Sequence, residues 1–266
     1  EIEKNNGLRH EAVAASMHGV EASIDITRMS LLEKIRSGAI NVQEAGQEIA
    51  ELFRGDPGIK EAREVYERLD KPYILGRVTY QLINRERNAA RLKTVPYKEI
   101  LDLAAVYRLL LADSGFSDYS VLLSHDICGK YGINEEELDA AAKENTDGYF
   151  HVCDLGTLLA EMCGIPEQEM KDPLPAYVFT NWPRENGTSI LLYKKYFDRL
   201  AREVDDDLYI LPSSIHDLIV VPAGGGKPEG LRQTVCEINT QVVEPDEILS
   251  MNVYRYSREK DMLEIV

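Results

Sequence analysis

Tyr177 to Val221 reads YVFTNWPRENGTSILLYKKYFDRLAREVDDDLYILPSSIHDLIVV, and this stretch decides the fold. Alternation over Tyr177 to Asn181 predicts a half-buried strand. Asn186-Gly187 predicts a tight turn because both residues tolerate positive φ, with Ser189 to Tyr193 as the returning strand of a hairpin. From Tyr193 to Val204 the apolar residues recur every three or four positions, which predicts an amphipathic helix.

The residues after this helix predict two more strands. Asp205-Asp206-Asp207 ends the helix, because short acidic side chains compete for backbone donors and are unfavourable at the negative end of the helix dipole. Leu208 to Leu211 and Ile215 to Val221 are rich in β-forming residues and are separated by Pro212-Ser213-Ser214. We therefore predict an α+β fold of mainly antiparallel sheets with helices packed on one face.

The N-terminal part predicts a small unit of strands followed by helices. Ile2 to Ala15 forms a hairpin around Asn5-Asn6-Gly7, and Gly19 to Ile26 alternates as a third strand. Helical spacing then covers Ser30 to Arg36 and Val42 to Phe53. The order of elements is thus two strands, a third strand and two helices.

A domain boundary is expected near residue 70. Gly55-Asp56-Pro57-Gly58 is the clearest group of helix breakers in the chain. Ile59 to Leu69 is expected to be a joining helix that stops at Asp70-Lys71-Pro72. We therefore predict an N-terminal subdomain over 1–70 and a larger α+β domain over 71–266.

The first part of the larger domain predicts strands and one ambiguous segment. Arg77 to Asn84 alternates as a strand, and Asn84 is expected to cap a short polar helix that ends before Pro96. Ile100 to Leu111 fits both a helical stripe and a strand buried on two faces. The short strand expected at Tyr119 to Leu123 favours the strand for this segment.

Helix signals continue to the C-terminus. Asn134 and Glu137 predict a capping box at the start of a helix that runs to Asn145. A helix over Leu155 to Cys163, a helix that opens at Pro228, and a terminal hairpin of Val253 to Tyr256 with Met262 to Val266 complete the layout.

Composition limits the classes of partner. The chain has 266 residues with 30 Lys and Arg against 46 Asp and Glu, a formal net charge of -16. This balance argues against nucleic acid and against an anionic membrane surface, and it leaves a basic protein as a possible partner. No run approaches the ~18 apolar residues that a membrane span needs. We expect a cytoplasmic protein.

Two His and two Cys residues are weak candidates for a metal site. His125 with Cys128, and His151 with Cys153, have local spacings that permit shared ligation. The set matches no standard zinc spacing, so we expect neither a metal nor another cofactor. The four cysteines of the chain show no disulfide framework and are expected to be reduced. The same His and Cys residues could serve as a nucleophile site, although nothing in the sequence shows that a thiolate would be stabilised.

Ser213, Ser214, His216 and Asp217 supply the residue types of a hydrolase triad. Neighbouring strand residues face opposite sides, however, so His216 and Asp217 could not pair within a strand. A turn in which the serine hydroxyls bond to the main chain is the favoured interpretation. In that case each serine contributes to stability, and neither hydroxyl bonds to His216.

Gly224-Gly225-Gly226-Lys227 suggests a phosphate-binding loop but fails on spacing. Pro228 follows the lysine where Ser or Thr would hold magnesium. A connector between a strand and a helix is the better interpretation.

The chain resembles an uncharacterised bacterial family known only as a domain of unknown function. The residues that carry this resemblance are Glu135-Glu136-Glu137-Leu138, Lys143-Glu144-Asn145-Thr146, Tyr177 to Asn181, Tyr209 to His216, and Tyr254-Arg255-Tyr256. The resemblance implies no activity, cofactor or catalytic residue.

We therefore expect a non-catalytic soluble binding or structural protein. One alternative is an acidic inhibitor or adaptor that engages a basic protein by charge complementarity. The other is a hydrolase that uses the turn from Ser213 to Asp217 or the His125 and Cys128 pair.

Overall fold

Two antiparallel sheets and the helices packed on them form the main part of the protein. The structure, a computed structural model, describes residues 1–17, 20–25, 31–55, 65, 68–111, 120–158, 175–182 and 184–266. Its strands are β1 Ile2–Glu3, β2 Arg9–His10, β3 Ala12–Met17, β4 Val20–Asp25, β5 Val78–Asn84, β6 Tyr97–Ile100, β7 Leu103–Leu110, β8 Ser120–Leu122, β9 Phe150–Asp154, β10 Tyr177–Asn181, β11 Leu208–Leu211, β12 Leu218–Pro222, β13 Tyr254–Ser257 and β14 Met262–Ile265.

The described helices are short to medium in length, and none of them is long and apolar enough to cross a membrane. They are α1 Leu31–Arg36, α2 Val42–Gly55, α3 Lys71–Arg77, α4 His125–Lys130, α5 Glu135–Asp147, α6 Lys194–Glu203 and α7 Pro228–Gln241. The same residues contain short segments of 3-10 helix: η1 Asn5–Gly7, η2 Arg91–Lys93, η3 Gly187–Leu192 and η4 Ala223–Gly225. The α+β fold class is confirmed.

The larger sheet has six strands in the order β14-β13-β11-β12-β10-β9, and every neighbouring pair is antiparallel. The second sheet is built on β7, which pairs with β5 on one side and with β6 and then β8 on the other. Two separate pairs, β1 with β2 and β3 with β4, occupy the N-terminal region. The strands expected around residues 2–15, 20–25, 78–84 and 254–265 are therefore present.

One hydrophobic core is shared by both sheets. Buried residues of β5 and β7 lie in the same cluster as Phe179, Phe197 and Tyr254 of the six-stranded side. β7 is buried along almost its whole length, with Leu103 to Tyr107 each no more than 3% exposed. This burial explains the continuous apolar run, and it resolves the ambiguity over 100–111 in favour of a strand.

The hairpin predicted after β10 is wrong. Asn186 does adopt positive φ, but Gly187 to Leu192 then forms the buried turn η3, and β10 pairs with β12 and β9 instead. A Cβ at Gly187 would lie 2.6 Å from the His216 carbonyl oxygen and 2.7 Å from the Asn181 nitrogen. Gly187 is therefore needed for close backbone approach. Since Gly187 to Leu191 are all buried, this segment has no alternation of buried and exposed residues that would distinguish a strand from a turn.

The predicted helix ends are confirmed where their side-chain caps are present. Asn134 accepts from the Glu137 main-chain N–H, and Glu137 accepts from the Asn134 N–H, so the capping box exists. The α6 stripe is also confirmed, with Phe197, Leu200 and Ala201 buried. Asp205 adopts positive φ directly after this helix.

Two boundary predictions need correction, and a third is incomplete. Arg68 is helical and Leu69 and Asp70 are not, so helical structure does stop before Lys71-Pro72, but Asp70 also starts α3, because its carboxylate accepts from the Tyr73 N–H and Pro72 occupies a first-turn position. Asn84 caps a turn, and only Arg91–Lys93 beyond it is helical, as 3-10 helix. The last strand of the central stretch starts at Leu218 rather than Ile215.

Several predicted elements lie partly outside the described residues. The joining helix over Ile59 to Leu69 is one, and the helix over Leu155 to Cys163 is another. Residues 155–158 are helical, and Asp154 accepts from the Thr157 N–H as its cap. β9, which precedes this helix, was not predicted.

The N-terminal hairpin is attached to the larger domain. Asn5 and Asn6 donate from their side-chain amides to the carbonyls of Asp246, Pro245 and Ile248. Asn6 also exchanges bonds with the buried Asn88. The domain boundary near residue 70 stays a prediction. The N-terminal hairpin, on one side of that boundary, is hydrogen-bonded to residues on the other side.

A carboxylate at the β6–β7 turn joins the two sheets. Asp102 accepts from the hydroxyls of Ser250 and Tyr254 and from the Asn252 amide. Ser250 and Tyr254 are fully buried, so neither hydroxyl has water as an alternative partner. Burial, together with the adjacent carboxylate, raises the pKa of Tyr254 well above its ordinary value.

Replacing Asp102 with Ala is expected to lower the free energy of unfolding by about 2 to 4 kcal/mol, because two buried hydroxyls lose their acceptor. Urea unfolding followed by circular dichroism measures the loss. Asp126→Ala, an exposed carboxylate, is the matched control, and equal midpoints for the two variants would contradict a joining role for Asp102.

Candidate functional site

The Ser213 to Asp217 segment is a turn that is held by its own main chain and by a distant loop. The Ser214 Oγ accepts from the main-chain N–H groups of His216 at 3.1 Å and Asp217 at 3.4 Å. The Ser213 carbonyl accepts from Leu249, and Ile215 donates to the Glu247 carbonyl. The expected bond between a serine hydroxyl and the main chain is therefore present at Ser214.

One detail of that expectation is wrong. The Ser214 hydroxyl does bond to His216, through the main-chain N–H rather than through the ring. The His216 ring instead lies with Nδ1 3.5 Å from the Asn186 nitrogen and Nε2 3.6 Å from a Glu247 oxygen.

Asp217 faces a different partner from His216. Its Oδ2 lies 3.3 Å from an Arg184 guanidinium nitrogen, and its Oδ1 is buried with no hydrogen-bond donor among the described residues. Both residues precede β12, so the strand alternation expected for them does not apply. The four residues are adjacent, but these contacts do not have the serine-to-imidazole-to-carboxylate order of a triad.

The His and Cys candidates lie on separate elements. His125 is exposed at the start of α4 and Cys128 is buried on the same helix. His151 and Cys153 lie on the edge strand β9, where His151 packs against Trp182 with ring centroids 4.7 Å apart. Within the described ranges no three His, Cys, Asp or Glu side chains form a group that could hold a metal ion.

The glycine-rich segment is a connector from β12 to α7. η4 covers Ala223–Gly225, and the Gly224 N–H donates to the Asp206 carboxylate at 2.6 Å. In a phosphate-binding loop this N–H would donate to the phosphate, but here it already donates to a carboxylate of the same chain.

A groove that the sequence did not reveal runs between α5, the start of α6 and β14. Its polar lining consists of Lys98, Lys143 and Lys194 with Tyr80 and Glu99. Its apolar lining consists of Ile100, Leu101, Leu191, Leu192, Met262 and Leu263. We call it the lysine groove. A neighbouring depression shares Lys143, Leu192 and Lys194 with it and adds Lys195 and the carboxylates Glu144 and Asp147.

Asp139 fixes one wall of the lysine groove. Its Oδ1 accepts from Tyr80 Oη at 2.7 Å and Tyr107 Oη at 3.3 Å, and its Oδ2 lies 3.0 Å from Lys98 Nζ. Although burial alone would raise it, the pKa of Asp139 is lowered by the hydrogen bonds from Tyr80 and Lys98. The pKa values of Tyr80 and Tyr107 are raised by burial and by the adjacent carboxylate.

The opposite wall joins α5 to the start of α6. Tyr193 Oη donates to the Lys143 carbonyl at 2.7 Å, and Tyr196 Oη donates to the Asp147 carbonyl at 3.0 Å. Lys195 Nζ pairs with the Asp147 carboxylate at 2.5 Å. Burial and the Asp147 charge raise the pKa of Tyr196 to about 12. These bonds hold Lys143 next to Lys194.

The three lysines differ in their partners. Lys98 pairs with Asp139, and Lys194 donates to the Asp261 carbonyl at 2.6 Å. The ammonium group of Lys143 makes no ion pair or hydrogen bond to a described residue. Sequence reasoning missed the groove because its lysines are far apart along the chain, and no local spacing connects them.

Three exposed carboxylates lie in the first turns of α4 and α5, at the other end of α5 from Lys143. Asp126 on α4 and Glu135 and Glu136 in the first turn of α5 are exposed, and no described residue pairs with them as an ion. Burial raises the pKa of the Cys128 thiol, and the negative charge of Glu135 raises it further. We call these three carboxylates the acidic face.

Comparison with known families gives one match. The sequence model of a family of unknown function, DUF5688, covers residues 1–258. The chain belongs to this family. No curated protein and no solved structure matches the chain. Membership in DUF5688 confirms the resemblance to a domain of unknown function, and it assigns no activity to the turn, the groove or the acidic face.

Replacing Ser214 with Ala is expected to lower the free energy of unfolding by about 0.5 to 1.5 kcal/mol, because two main-chain donors lose their acceptor. Ser213→Ala is the matched control, since the Ser213 hydroxyl has no hydrogen-bond partner among the described residues. Chemical denaturation of both variants measures the difference, and a larger loss at Ser213 would contradict the turn described above.

The Asp139 cluster predicts a pH-dependent stability. A carboxylate whose folded pKa is lowered stabilises the protein above its unfolded pKa, and this stabilisation is lost as pH falls through the folded pKa. Asp139→Asn should therefore be less stable than the parent at neutral pH. The difference in stability between the two proteins should narrow as the pH falls below 3.8, the ordinary pKa of Asp. Unfolding midpoints over a pH series measure this difference; a constant difference would refute the assignment.

Proposed function

We propose that this DUF5688 protein is a non-catalytic binding protein of the cytoplasm whose acidic face engages a basic protein partner. The observation that most supports this proposal is the distribution of charged side chains. At least twelve Lys or Arg side chains of the described part pair with a carboxylate. The two charges within each ion pair cancel. The net charge of -16 therefore resides on carboxylates outside these pairs.

The acidic face is suited to this role because its carboxylates are both exposed and unpaired among the described residues. Asp126, Glu135 and Glu136 lie on two consecutive helices, α4 and α5. The capping box and the Lys71–Glu137 ion pair hold the start of α5 in place. Charged groups on a fixed surface increase the rate at which an oppositely charged partner associates.

Two observations favour binding over hydrolysis. The Ser214 hydroxyl is already engaged by two main-chain amides, and the His216 ring contacts Asn186 and Glu247. The cytoplasmic location is supported by Cys128 and Cys236, neither of which forms a disulfide with a described residue, as expected in a reducing compartment.

The test uses a variant in which Asp126→Asn, Glu135→Gln and Glu136→Gln are combined. Basic proteins captured at low salt from lysate of the source cells are identified, and the kinetics of each purified partner are measured by surface plasmon resonance. We expect the association rate constant to fall about tenfold in the variant and to fall with added salt in the parent.

The matched control removes the same charge elsewhere. Glu86→Gln, Glu203→Gln and Glu259→Gln replace three carboxylates that are exposed but dispersed. A control that slows association as much as the test variant would show that only net charge matters, and the acidic face would then lose its assignment.

A further inference from the structure

We propose that the lysine groove is a second binding site, which takes an anionic amphiphile: a molecule that joins an aliphatic chain to a carboxylate or phosphate group. This site is separate from the acidic face, and its ligand has the opposite charge from the basic partner proposed there. The inference rests on the lining, the charge, the backbone and the size of the groove.

The lining has two chemically distinct parts. Leu191, which is 1% exposed, and the half-buried Leu192 and Leu263 form an apolar floor, and Met262 is 43% exposed at its edge. An aliphatic chain placed there would remove apolar surface from water on both partners. Lys98 and Lys194 lie on the same groove, and each is about half exposed.

The uncompensated charge of the groove is that of Lys143. Three lysines and one carboxylate, Glu99, line the groove, but Lys98 is paired with Asp139 and Lys194 with Asp261. Glu99 is already paired with Arg85 at 2.5 Å. Lys143 has no ionic partner among the described residues, so its ammonium is available to an anionic head group.

The start of α6 adds to the positive potential. Lys194 and Lys195 occupy the first turn, where the helix dipole favours anions and disfavours cations. Asp261 pairs with Lys194 and Asp147 pairs with Lys195, so an anionic head group at this helix start would interact favourably with the helix dipole and with the unpaired Lys143.

The backbone of the floor is also unusual. Leu101 holds φ at 54°, in the left-handed region that side chains other than those of Gly, Asn and Asp rarely adopt. The neighbouring Asp102 fixes this conformation through its bonds to Ser250 and Tyr254. The floor is therefore formed before a ligand binds, and this lowers the entropic cost of binding.

The size of the groove selects a small ligand. Its volume is about 270 Å³, and the adjoining depression, which shares Lys143, Leu192 and Lys194, has about 670 Å³. Sites for small molecules usually have about 300 to 1,000 Å³. A single aliphatic chain with one head group fits this range, whereas a folded partner does not.

Isothermal titration calorimetry with dodecanoate and with dodecyl phosphate, each below its critical micelle concentration, tests the proposal. Both should bind saturably at one site, and dodecyltrimethylammonium, which has the same chain with a cationic head, should bind at least about tenfold more weakly. Acetate and inorganic phosphate should not bind measurably, because they lack the chain.

Two variants locate the binding. Lys143→Gln should weaken dodecanoate binding about fivefold to tenfold, because one charge contact to the head group is lost. Lys93→Gln is the matched control, since Lys93 is exposed and outside the groove. Met262→Gln should weaken the binding of dodecanoate and of dodecyltrimethylammonium alike, because it replaces an apolar side chain at the edge of the groove floor.

Each remaining outcome would overturn the proposal. Equal losses in Lys143→Gln and Lys93→Gln would show binding without site specificity. Equal affinity for dodecyltrimethylammonium would show a purely apolar surface. The absence of saturable binding by either anion would exclude the site, and it would leave the basic-partner proposal unaffected because the acidic face is not involved.

Discussion

The bonds of Asp102 determine how the two halves of the fold meet. This carboxylate leaves the β6–β7 turn of one sheet and accepts three donors from the segment that leads into β13 of the other. Hydrophobic contact alone is non-directional and would permit small shifts between the sheets. The half-buried Asp102 carboxylate favours one arrangement, because any shift would leave the buried hydroxyls of Ser250 and Tyr254 unpaired.

The arrangement that Asp102 fixes also shapes the lysine groove. Leu101, directly before it, forms part of the groove floor, while Met262 and Leu263 reach the groove from β14, the strand next to β13. α5 supplies the remaining wall, attached by Asp139 on one side and by the Tyr193 bond to the Lys143 carbonyl on the other. Stability and site geometry therefore depend on the same few polar contacts. A change at any of them acts on both.

Much of the fold is predictable from local patterns, and the errors have a common cause. α5, α6 and β7 follow from capping residues, helical spacing and a continuous apolar run, all of which are local signals. The hairpin at Asn186-Gly187 fails because Gly187 meets the backbone of residues 180, 181 and 216, and burial on all sides removes periodicity. The start of α3 at Asp70 was not predicted because a carboxylate near a proline is compatible with either end of a helix, and here it follows the end of one helical segment and caps the next.

The candidate site is less predictable than the fold, for a physical reason. Catalytic motifs are local, so the residues from Ser213 to Asp217 can be judged by their spacing alone, whereas the groove joins β6, α5 and α6 only in three dimensions. Net charge is misleading at this scale. A total of -16 describes the field at long range, but within a Debye length of roughly 8 Å the nearest charges dominate. The two proposed sites are therefore compatible in one acidic chain: a macromolecule would respond to the charge at long range, whereas a small anion in the groove would respond to the nearest unpaired charge, that of Lys143.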